Sequence, residues 1–244
     1  MNYKTNIIVL AAGEGKRFIS SGGQILKQLV PFDGVPLLRR ILLQIKELNI
    51  DTNIIVVVGE DDTQEGQIKE CLADISGVRY VKNLQSRSDN NFYSVKSALQ
   101  HCKLGPSLVI EADCVFESDD LKTFSDHVID STDIVWGCIG SANKYDHGGI
   151  LVRLNSCWEP KITQGDEFQR LSQDPKALKM FGLVGIPLNQ SGLFFDQVAS
   201  AEYKTPKYFH QVFFDSTDCY SHTVFDFGAK AFSFNTKDEL NSNE

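Results

Sequence analysis

The sequence predicts an α/β protein with one doubly wound, mostly parallel, Rossmann-like sheet and helices on both faces, in three layers. Short apolar runs alternate with longer amphipathic segments through the first half of the chain, which is typical of repeated strand–helix–strand units. The 244 residues, 42% of them apolar, suffice for one large core. No repeat and no long Pro/Gly/Ser linker divides the chain, so we expect a single domain over residues 1–244.

The first half supplies the strands and helices in order. The apolar runs are continuous, as expected of strands buried on both faces, and they occupy residues 6–10, 53–58, 78–82, 107–111 and 133–139. Helical spacing of apolar residues predicts helices over residues 36–48, 64–72, 92–101 and 118–129, the first with proline in its first turn. Such a sheet binds ligands beyond the carboxyl ends of its strands.

Beyond residue 140 the alternation changes. Strand-like runs at 149–154 and 180–186 and helix-like runs at 190–201 and 206–216 predict an extension of the same sheet. We therefore divide the domain into a first part, residues 1–135, and a second part, residues 136–244.

Composition and charge exclude several classes of partner. With 24 Lys and Arg against 32 Asp and Glu, the formal net charge is −8, and no run of five basic residues occurs. A nucleic acid or an anionic membrane requires a basic face, so we expect neither as a partner. No apolar stretch is long enough to span a bilayer, and the first lacks the basic flank of a signal peptide, so we expect a cytoplasmic location. The six cysteines form no C-x-x-C pair, which predicts free thiols.

A glycine-rich segment, AAGEGKRF at residues 11–18, follows the first strand directly. Gly13 and Gly15 allow the backbone to approach a polyphosphate with its N–H groups, and Lys16 and Arg17 add positive charge. The segment is not a P-loop, because G-x-x-x-x-G-K-S/T is absent, and not a dinucleotide fingerprint, because Phe18 stands in place of the third glycine. From these residues alone, an ordinary strand–helix turn remains an alternative.

The motifs over residues 6–45 resemble the N-terminal signature of nucleotidyltransferases, which join a nucleoside triphosphate to a phosphorylated small molecule. LAAGEGKRF is followed by KQLVP at 27–31 and DGVPLL at 33–38, although Leu26 stands where the family usually has proline. The resemblance implies the nucleotidyltransferase fold, phosphate binding by Arg17 and α-phosphate binding by Lys27. It also implies nucleotide contacts from the loop residues Leu10, Ala11, Ala12, Gly13, Glu14, Gly15 and Lys16.

A second motif begins the predicted helix near residue 92. On residue chemistry alone, Asn91 either caps this helix or reads the polar edge of a base. The string NNFYSV at 90–95 resembles the segment that lines the cytidine pocket in the phosphocholine cytidylyltransferase branch of the family. This resemblance implies CTP as the nucleotide, with contacts from Asn91 and Ser94. Arg87 and Ser88 lie just upstream, and from their position we expect that they can also reach the base.

The fourth predicted strand ends in Glu111-Ala112-Asp113. A carboxylate at this edge either caps a following helix or turn or meets a ligand such as a metal. In the family the matching aspartate holds Mg²⁺ against the α-phosphate, which implies a catalytic and metal-binding role for Asp113. By strand alternation Glu111 points to the same face, where it is predicted to support Asp113.

A second metal ligand is expected late in the chain. The string NTKDEL at 235–240 resembles the closing strand-to-helix pattern of the family, in which Asn235 takes the metal position. A helix cap, completed by Asp238, is the alternative for Asn235. Asp226 is the rival candidate for the metal.

The second part is expected to bind the acceptor, and the first part the nucleotide. The resemblance suggests Lys161 as a phosphate contact, although a solvated strand lysine is the common alternative. An aromatic box for a quaternary ammonium group is a further hypothesis, with Trp136 as its main candidate and Trp158, Tyr145, Tyr203 and Tyr208 as others. Most aromatic side chains are simply core. Asp146 and His147 form a polar turn that either faces the acceptor or has no role.

Together the motifs imply a cytidylyltransferase in which an acceptor phosphate or phosphonate oxygen attacks the α-phosphorus of CTP and releases pyrophosphate, with Mg²⁺ as cofactor. Expected acceptors are anionic small molecules of the phosphocholine, phosphoethanolamine or aminoalkylphosphonate type. A sugar-1-phosphate nucleotidylyltransferase that uses UTP or dTTP is the alternative within the class. A nucleotide-binding module without turnover and an oxidoreductase are the alternatives outside it. The sequence does not indicate the oligomeric state.

Overall fold

The computed structural model describes residues 3–142, 147–154, 157–216 and 219–242. Its strands are β1 (Thr5–Leu10), β2 (Pro31–Phe32), β3 (Val35–Pro36), β4 (Thr52–Val58), β5 (Val78–Lys82), β6 (Ser107–Glu111), β7 (Cys114–Val115), β8 (Ile134–Ser141), β9 (His147–Leu154), β10 (Cys157–Gln164), β11 (Leu178–Ile186), β12 (His222–Asp226) and β13 (Phe232–Ser233). Its helices are α1 (Lys16–Ser20), α2 (Leu37–Lys46), α3 (Asp62–Cys71), α4 (Phe92–Leu99), α5 (Ser118–Asp130), α6 (Gly165–Ser172), α7 (Leu188–Ser200), α8 (Gln211–Phe214) and α9 (Lys237–Asn241). A 3₁₀ turn spans Lys27–Leu29.

Nine of these strands form one sheet around β1. The strands β6, β1, β4 and β5 are parallel neighbours, and β11 continues the sheet antiparallel to β6. Beyond β11 lie β9 and β10 on one branch and β8 and β12 on the other. Leu10 at the end of β1 pairs with Glu111 at the end of β6. The segments that follow these two strands therefore leave the sheet side by side.

Two apolar cores sandwich the sheet, because successive residues of its buried strands point to opposite faces. Ile7 and Val9 of β1 pack under α2, α3 and α5, whereas Ile8 and Leu10 pack under α4, α7 and α8. All six residues of β1 are buried, as the continuous apolar run predicts. The predicted three-layer α/β sheet in a single domain is confirmed.

A third, smaller core brings the end of the chain back to its beginning. Phe18 packs edge-to-face on Phe234, with ring centroids 5.6 Å apart, in a cluster that also holds Leu240 of α9. The short strand β13 pairs with β7, just after β6. Residue 235 is thereby placed next to the glycine-rich segment, and the Phe18 side chain is buried in this core.

The predicted elements of the first half match the observed ones to within three residues at either end. The second half differs more. The predicted helix over 206–216 is wrong for most of its length, since only Gln211–Phe214 is helical. In the described residues, no helix is long and apolar enough to cross a membrane. All six cysteines have free thiols, as predicted.

Candidate active site

A cavity of about 400 Å³ opens at the adjacent ends of β1 and β6. Its walls come from the glycine-rich segment, the start of α4, the end of β6, the 3₁₀ turn, the segment before α8 and the residue before Thr236. The predicted nucleotide, catalytic and metal residues meet in this one cavity, namely Leu10, Ala11, Ala12, Gly13, Glu14, Gly15, Lys16, Arg17, Lys27, Arg87, Asn91, Ser94, Asp113 and Asn235.

The glycine-rich segment is held by two buried glutamines. Gln28 Nε2 donates to the carbonyl of Ala11 at 2.9 Å, and Gln64 Nε2 donates to the carbonyl of Gly13 at 3.0 Å. Gly15, which precedes α1, has φ +63°, and a Cβ there would lie 3.1 Å from the Cβ of Lys27. Glycine at this position therefore permits both the left-handed turn and the close approach of the loop to Lys27.

Lys27, Asp113 and Asn235 form the polar centre of the cavity. The Lys27 ammonium makes an ion pair with Oδ2 of Asp113 and lies 3.4 Å from Oδ1 of Asn235. The side chains of Lys27 and Asp113 are 11% and 22% exposed, so this pair is largely shielded from water. Phe234 packs beneath it, with its ring centroid 5.1 Å from Nζ of Lys27.

The local structure around α9 leaves the Asn235 side chain to the cavity. Thr236 caps this helix, since its Oγ1 accepts from the Glu239 amide at 3.2 Å. Glu239 in turn accepts from the Asn235 backbone N–H at 2.6 Å. This reciprocal arrangement is a capping box shifted by one residue. The alternative that Asn235 caps the helix with Asp238 is therefore wrong.

Asp226, the rival for the second metal position, lies elsewhere. It ends β12, is exposed, and accepts hydrogen bonds from the backbone amides of Gly140 and Gly228 at 3.3 and 2.8 Å. It is not among the residues that line the cavity.

The donor set beside Lys27 fits Mg²⁺. A carboxylate oxygen of Asp113 and an amide oxygen of Asn235 already converge on one cationic group, the Lys27 ammonium. Within the described ranges, no group of three or more His, Cys, Asp or Glu side chains could hold a metal by itself. One carboxylate with a neutral oxygen, completed by water and substrate phosphate, is the usual protein environment of Mg²⁺.

Asp89, rather than Asn91, makes the side-chain hydrogen bond at the start of α4. Asp89 accepts from the Tyr93 amide at 2.7 Å, and the Asn91 side chain makes no cap hydrogen bond. Instead Asn91 Nδ2 donates to Glu111 Oε1 at 3.0 Å, and its Oδ1 accepts from the Phe209 amide at 2.7 Å. Ser94 also faces the cavity, where its Oγ accepts from Asn83 at 2.9 Å.

Glu111, at the end of β6, lines the same cavity as Asp113. Burial raises the pKa of the Glu111 carboxyl well above its usual range, and the nearby Asp113 charge raises it further. The space for this side chain comes from β11, because a Cβ on Gly182 would lie 2.8 Å from Oε2 of Glu111. No motif in the sequence indicates the contact between Gly182 and Glu111.

Basic side chains at the cavity mouth are matched by carboxylates. Nε of Arg87 lies 3.3 Å from Glu14 and 3.1 Å from Glu60, and Lys16 lies 2.9 Å from Glu14. The side chains of Lys16 and Arg87 are 73% and 60% exposed. Both remain accessible to an anion, which would displace the Glu14 carboxylate from them.

The predictions for the acceptor side hold less well. Trp136 is 1% exposed, packs against Phe213, and donates from Nε1 to His222 at 3.1 Å. It is a core residue, so the prediction that it contacts an acceptor is wrong. Lys161 lies on β10, pairs with Glu159 at 3.4 Å, and does not line the cavity.

The remaining acceptor candidates are dispersed. Tyr145 and Asp146 lie outside the described residues, and residue 147 begins β9. Trp158 packs on the second core, below Arg153. Tyr208 does line the cavity. Pro206 also lines it and was not predicted from the sequence. An aromatic residue next to a proline in a short loop is a common pattern, so it does not identify Pro206 and Tyr208 as residues that line a cavity.

Comparison with known families agrees with this geometry. The family described as MobA-like NTP transferase domain matches residues 7–180, which include the glycine-rich segment, Lys27 and Asp113. The chain belongs to this family. It is a nucleotidyltransferase, as the motifs predict. No curated protein sequence matches the chain.

Solved structures of nucleotidyltransferases share the fold of this NTP transferase over nearly its whole length. The inositol-1-phosphate CTP transferase from T. maritima is 21% identical with a TM-score of 0.72, covering 98% of this chain and 93% of its own. The CTP:phosphocholine cytidylyltransferase from Streptococcus pneumoniae is 19% identical with a TM-score of 0.72, covering 98% and 97%. A putative glucose-1-phosphate thymidylyltransferase from Bacillus anthracis is 14% identical with a TM-score of 0.76, covering 98% and 93%.

Proposed function

We propose that this nucleotidyltransferase transfers CMP from CTP to a phosphorylated or phosphonylated small molecule, with release of pyrophosphate. The observation that carries the proposal is the Lys27–Asp113–Asn235 cluster beside the glycine-rich segment in one cavity. The cluster combines a shielded ammonium and two oxygen ligands next to a loop suited to a polyphosphate.

Three features support CTP as the nucleotide. The NNFYSV string that resembles the cytidylyltransferase branch lines the cavity through Asn90, Asn91 and Ser94. Arg87 lies at the mouth on the same side. Two of the similar structures are named as CTP-using transferases.

In the proposed reaction an acceptor oxygen forms a bond to the α-phosphorus of CTP, and the bond from that phosphorus to the bridging oxygen of pyrophosphate breaks. The acceptor oxygen is already anionic, so no side chain has to remove a proton. The protein has to hold two anions together and to neutralise the charge that develops between them.

The residues of the cavity divide this work. The N–H groups around Gly13 and Gly15, with Lys16 and Arg17, bind the β- and γ-phosphates. Lys27 turns from Asp113 to the α-phosphate, where its charge is shielded from water. Asp113 and Asn235 would hold Mg²⁺, which when bound supplies positive charge to the phosphate oxygens.

A sugar-1-phosphate nucleotidylyltransferase is the second candidate. It is favoured by the structural similarity to the thymidylyltransferase from Bacillus anthracis and to a UDP-glucose pyrophosphorylase, which has a TM-score of 0.73. These two proteins are each 14% identical to this chain. For this candidate the nucleotide would be UTP or dTTP.

A pyrophosphate-release screen distinguishes the two candidates. CTP, UTP, dTTP and GTP are each mixed with phosphocholine, phosphoethanolamine, aminoethylphosphonate and glucose 1-phosphate in the presence of Mg²⁺. We expect release with CTP and an aminoalkyl phosphate or phosphonate. Release with UTP or dTTP and glucose 1-phosphate favours the second candidate, and no release with any pair contradicts both.

A further inference from the structure

The cavity is lined by residues from different parts of the chain. One wall contains the glycine-rich segment and the end of β6, and another is formed by Pro206 and Tyr208. We call the irregular segment 201–209, which leads into α8, the second wall. Since the first wall is assigned to the nucleotide, the second wall is left for the acceptor, and in this respect the inference rests on the proposed function.

Helix α4 holds the second wall through several contacts. The Lys207 carbonyl accepts from the backbone amides of Asn91 and Phe92 at 3.3 and 3.1 Å. Lys96 Nζ donates to the Ala201 carbonyl at 2.7 Å, and the Phe92 ring packs edge-to-face on Tyr203 at 4.7 Å. The wall is thus docked on the start of the helix that carries Asn91 and Ser94.

Asn91 joins this wall to the catalytic edge of the sheet. Its Oδ1 accepts from the buried Phe209 amide at 2.7 Å, and its Nδ2 donates at 3.0 Å to Glu111, two residues before Asp113. Asn91 is 8% exposed, so its amide lies mostly among protein atoms. The Asn91 side chain already uses its oxygen and one N–H in hydrogen bonds to other protein groups. It is therefore poorly placed to form the further hydrogen bonds that would distinguish one base from another.

We propose that Asn91 is a positioning residue, which holds the second wall, and with it Tyr208, at a fixed distance from Glu111 and Asp113. The base is then read by other, more exposed groups of the pocket, such as Arg87. Asn91 therefore controls how well the acceptor is placed against the nucleotide and has little effect on which nucleotide is chosen. Such a residue changes reaction geometry without touching either substrate.

The test uses two variants of the full chain, Asn91→Ser and Asn91→Ala, with Asn90→Ser as the matched control. Serine is favourable at a helix start, so Asn91→Ser retains the helix while its hydroxyl reaches neither Glu111 nor Phe209. Asn90 is exposed and also lines the cavity. The same substitution one residue earlier therefore controls for a changed polar surface.

Two measurements test the positioning role of Asn91 and do not require the acceptor to be known. Hydrogen exchange of the Phe209 amide, followed by NMR, should become at least about tenfold faster in both Asn91 variants, and should not change in Asn90→Ser. The dissociation constants of CTP and UTP with Mg²⁺, measured by calorimetry, should keep their ratio to within about twofold. Unchanged Phe209 exchange overturns the proposal, as does a tenfold fall in the preference for CTP over UTP.

A third measurement addresses the acceptor directly. With the nucleotide and acceptor pair that is active in the wild type, the Asn91 variants should raise the acceptor KM at least about tenfold, with the nucleotide KM within threefold of wild type. A rise confined to the nucleotide KM contradicts the proposal. Failure of the proposed function appears separately, as absence of pyrophosphate release or of CTP binding in the wild type, and the Phe209 exchange result still decides the role of Asn91.

Discussion

At the scale of single residues, the site is assembled from side chains that are distant in sequence. Lys27 and Asp113 are separated by 86 residues, and Lys27 and Asn235 by 208. The proximity of Lys27 and Asp113 could be expected from the sequence, since each lies in a motif that resembles the family signature. The choice between Asn235 and Asp226 was open in the sequence, because it depends on Thr236 taking the cap position and on β13 pairing with β7.

This choice leads to a prediction about metal dependence. Asn235→Ala removes one of the two protein oxygens proposed for Mg²⁺, so the Mg²⁺ concentration that gives half-maximal activity should rise at least about tenfold. Asp226→Ala is the matched control, and it should leave this concentration within twofold of wild type. The measurement is a Mg²⁺ titration of pyrophosphate release, and the opposite ranking of the two variants would restore Asp226 as the ligand.

A second prediction concerns the support of the glycine-rich segment. Gln64→Ala removes the hydrogen bond to the Gly13 carbonyl, and a buried hydrogen bond contributes about 1 kcal/mol. The nucleotide dissociation constant should therefore rise about fivefold, by the same factor for all four nucleoside triphosphates, because the loop binds phosphate. Gln67→Ala, at an exposed position of the same helix, is the control. A base-dependent effect in Gln64→Ala, measured by calorimetry, is incompatible with this role.

At the scale of elements, predictability follows burial. The strands β1, β4 and β6 are apolar runs that are buried on both faces, and the sequence predicts them nearly to the residue. The expectation of burial on both faces is wrong for β5, which lies at the edge of the sheet and is mostly half-buried. β12 and α6 were not predicted. β12 is short and only partly buried, and α6 spans eight residues of which only Phe168 and Ser172 are buried, so each contains few apolar residues from which to predict it.

The second wall shows a different reason for a wrong prediction. Residues 206–216 have helical spacing, but residues 206–209 are not helical. The Lys207 carbonyl accepts from the amides of Asn91 and Phe92, and the Phe209 amide donates to the Asn91 side chain. These tertiary hydrogen bonds override local propensity. No sequence pattern within residues 206–209 reports a partner more than a hundred residues away.

Two glycines in neighbouring elements allow a paired prediction. Gly15 has φ +63° and no room beside Lys27, so Gly15→Ala should lower the free energy of unfolding by about 1 kcal/mol or more and weaken nucleotide binding. Gly66 lies inside α3 with no atom within 4 Å of an added Cβ. Gly66→Ala should therefore stabilise by about 0.5–1 kcal/mol. Urea unfolding measures both, and equal effects of the two substitutions would contradict the assigned conformation of Gly15.

At the scale of the whole molecule, an acidic protein can still bind a triphosphate because the positive charge is local. The net charge is −8, yet Lys16, Arg17, Lys27 and Arg87 all line one cavity. The net negative charge still predicts that an extended polyanion such as a nucleic acid is not a partner. The net charge does not indicate which acceptor the protein binds. The prediction that Trp136 contacts the acceptor was wrong because the sequence does not show whether an aromatic side chain lies in the core or lines the cavity.

Stability should depend on pH through two partly buried histidines, each of which has one ring nitrogen that is shielded from solvent and has no hydrogen-bond partner in the described residues. Burial lowers the pKa of His210 to about 3 and that of His222 to about 4, and Nδ1 of His210 has no hydrogen-bond partner in the described part of the chain. The unfolded chain therefore binds more protons than the folded one below pH ~6.5, so these groups lower the stability as the pH falls from there toward 4. Glu111 has the opposite sign, since its raised pKa favours the folded state at low pH.

The variant His210→Phe isolates one of these contributions. Between pH 7.5 and pH 5 it should lose about 2 kcal/mol less free energy of unfolding than the wild type, which is about 1.4 kcal/mol for each pH unit below 6.5. Asp61, Glu65 and Asp74, whose pKa values are lowered, affect stability only at lower pH. Urea titrations at the two pH values give the comparison, and parallel losses in both proteins would show that His210 is not buried in its neutral form.

The proposed function requires that the cavity at the ends of β1 and β6 performs nucleotidyl transfer with Asp113 as the metal-binding carboxylate. The most direct test is the rate of pyrophosphate release by Asp113→Ala and by wild type, on the active nucleotide and acceptor pair with Mg²⁺, with thermal unfolding as the control for folding. We expect Asp113→Ala to lower kcat at least about a thousandfold while its Tm stays within a few degrees of wild type. A kcat within a few-fold of wild type would contradict the account.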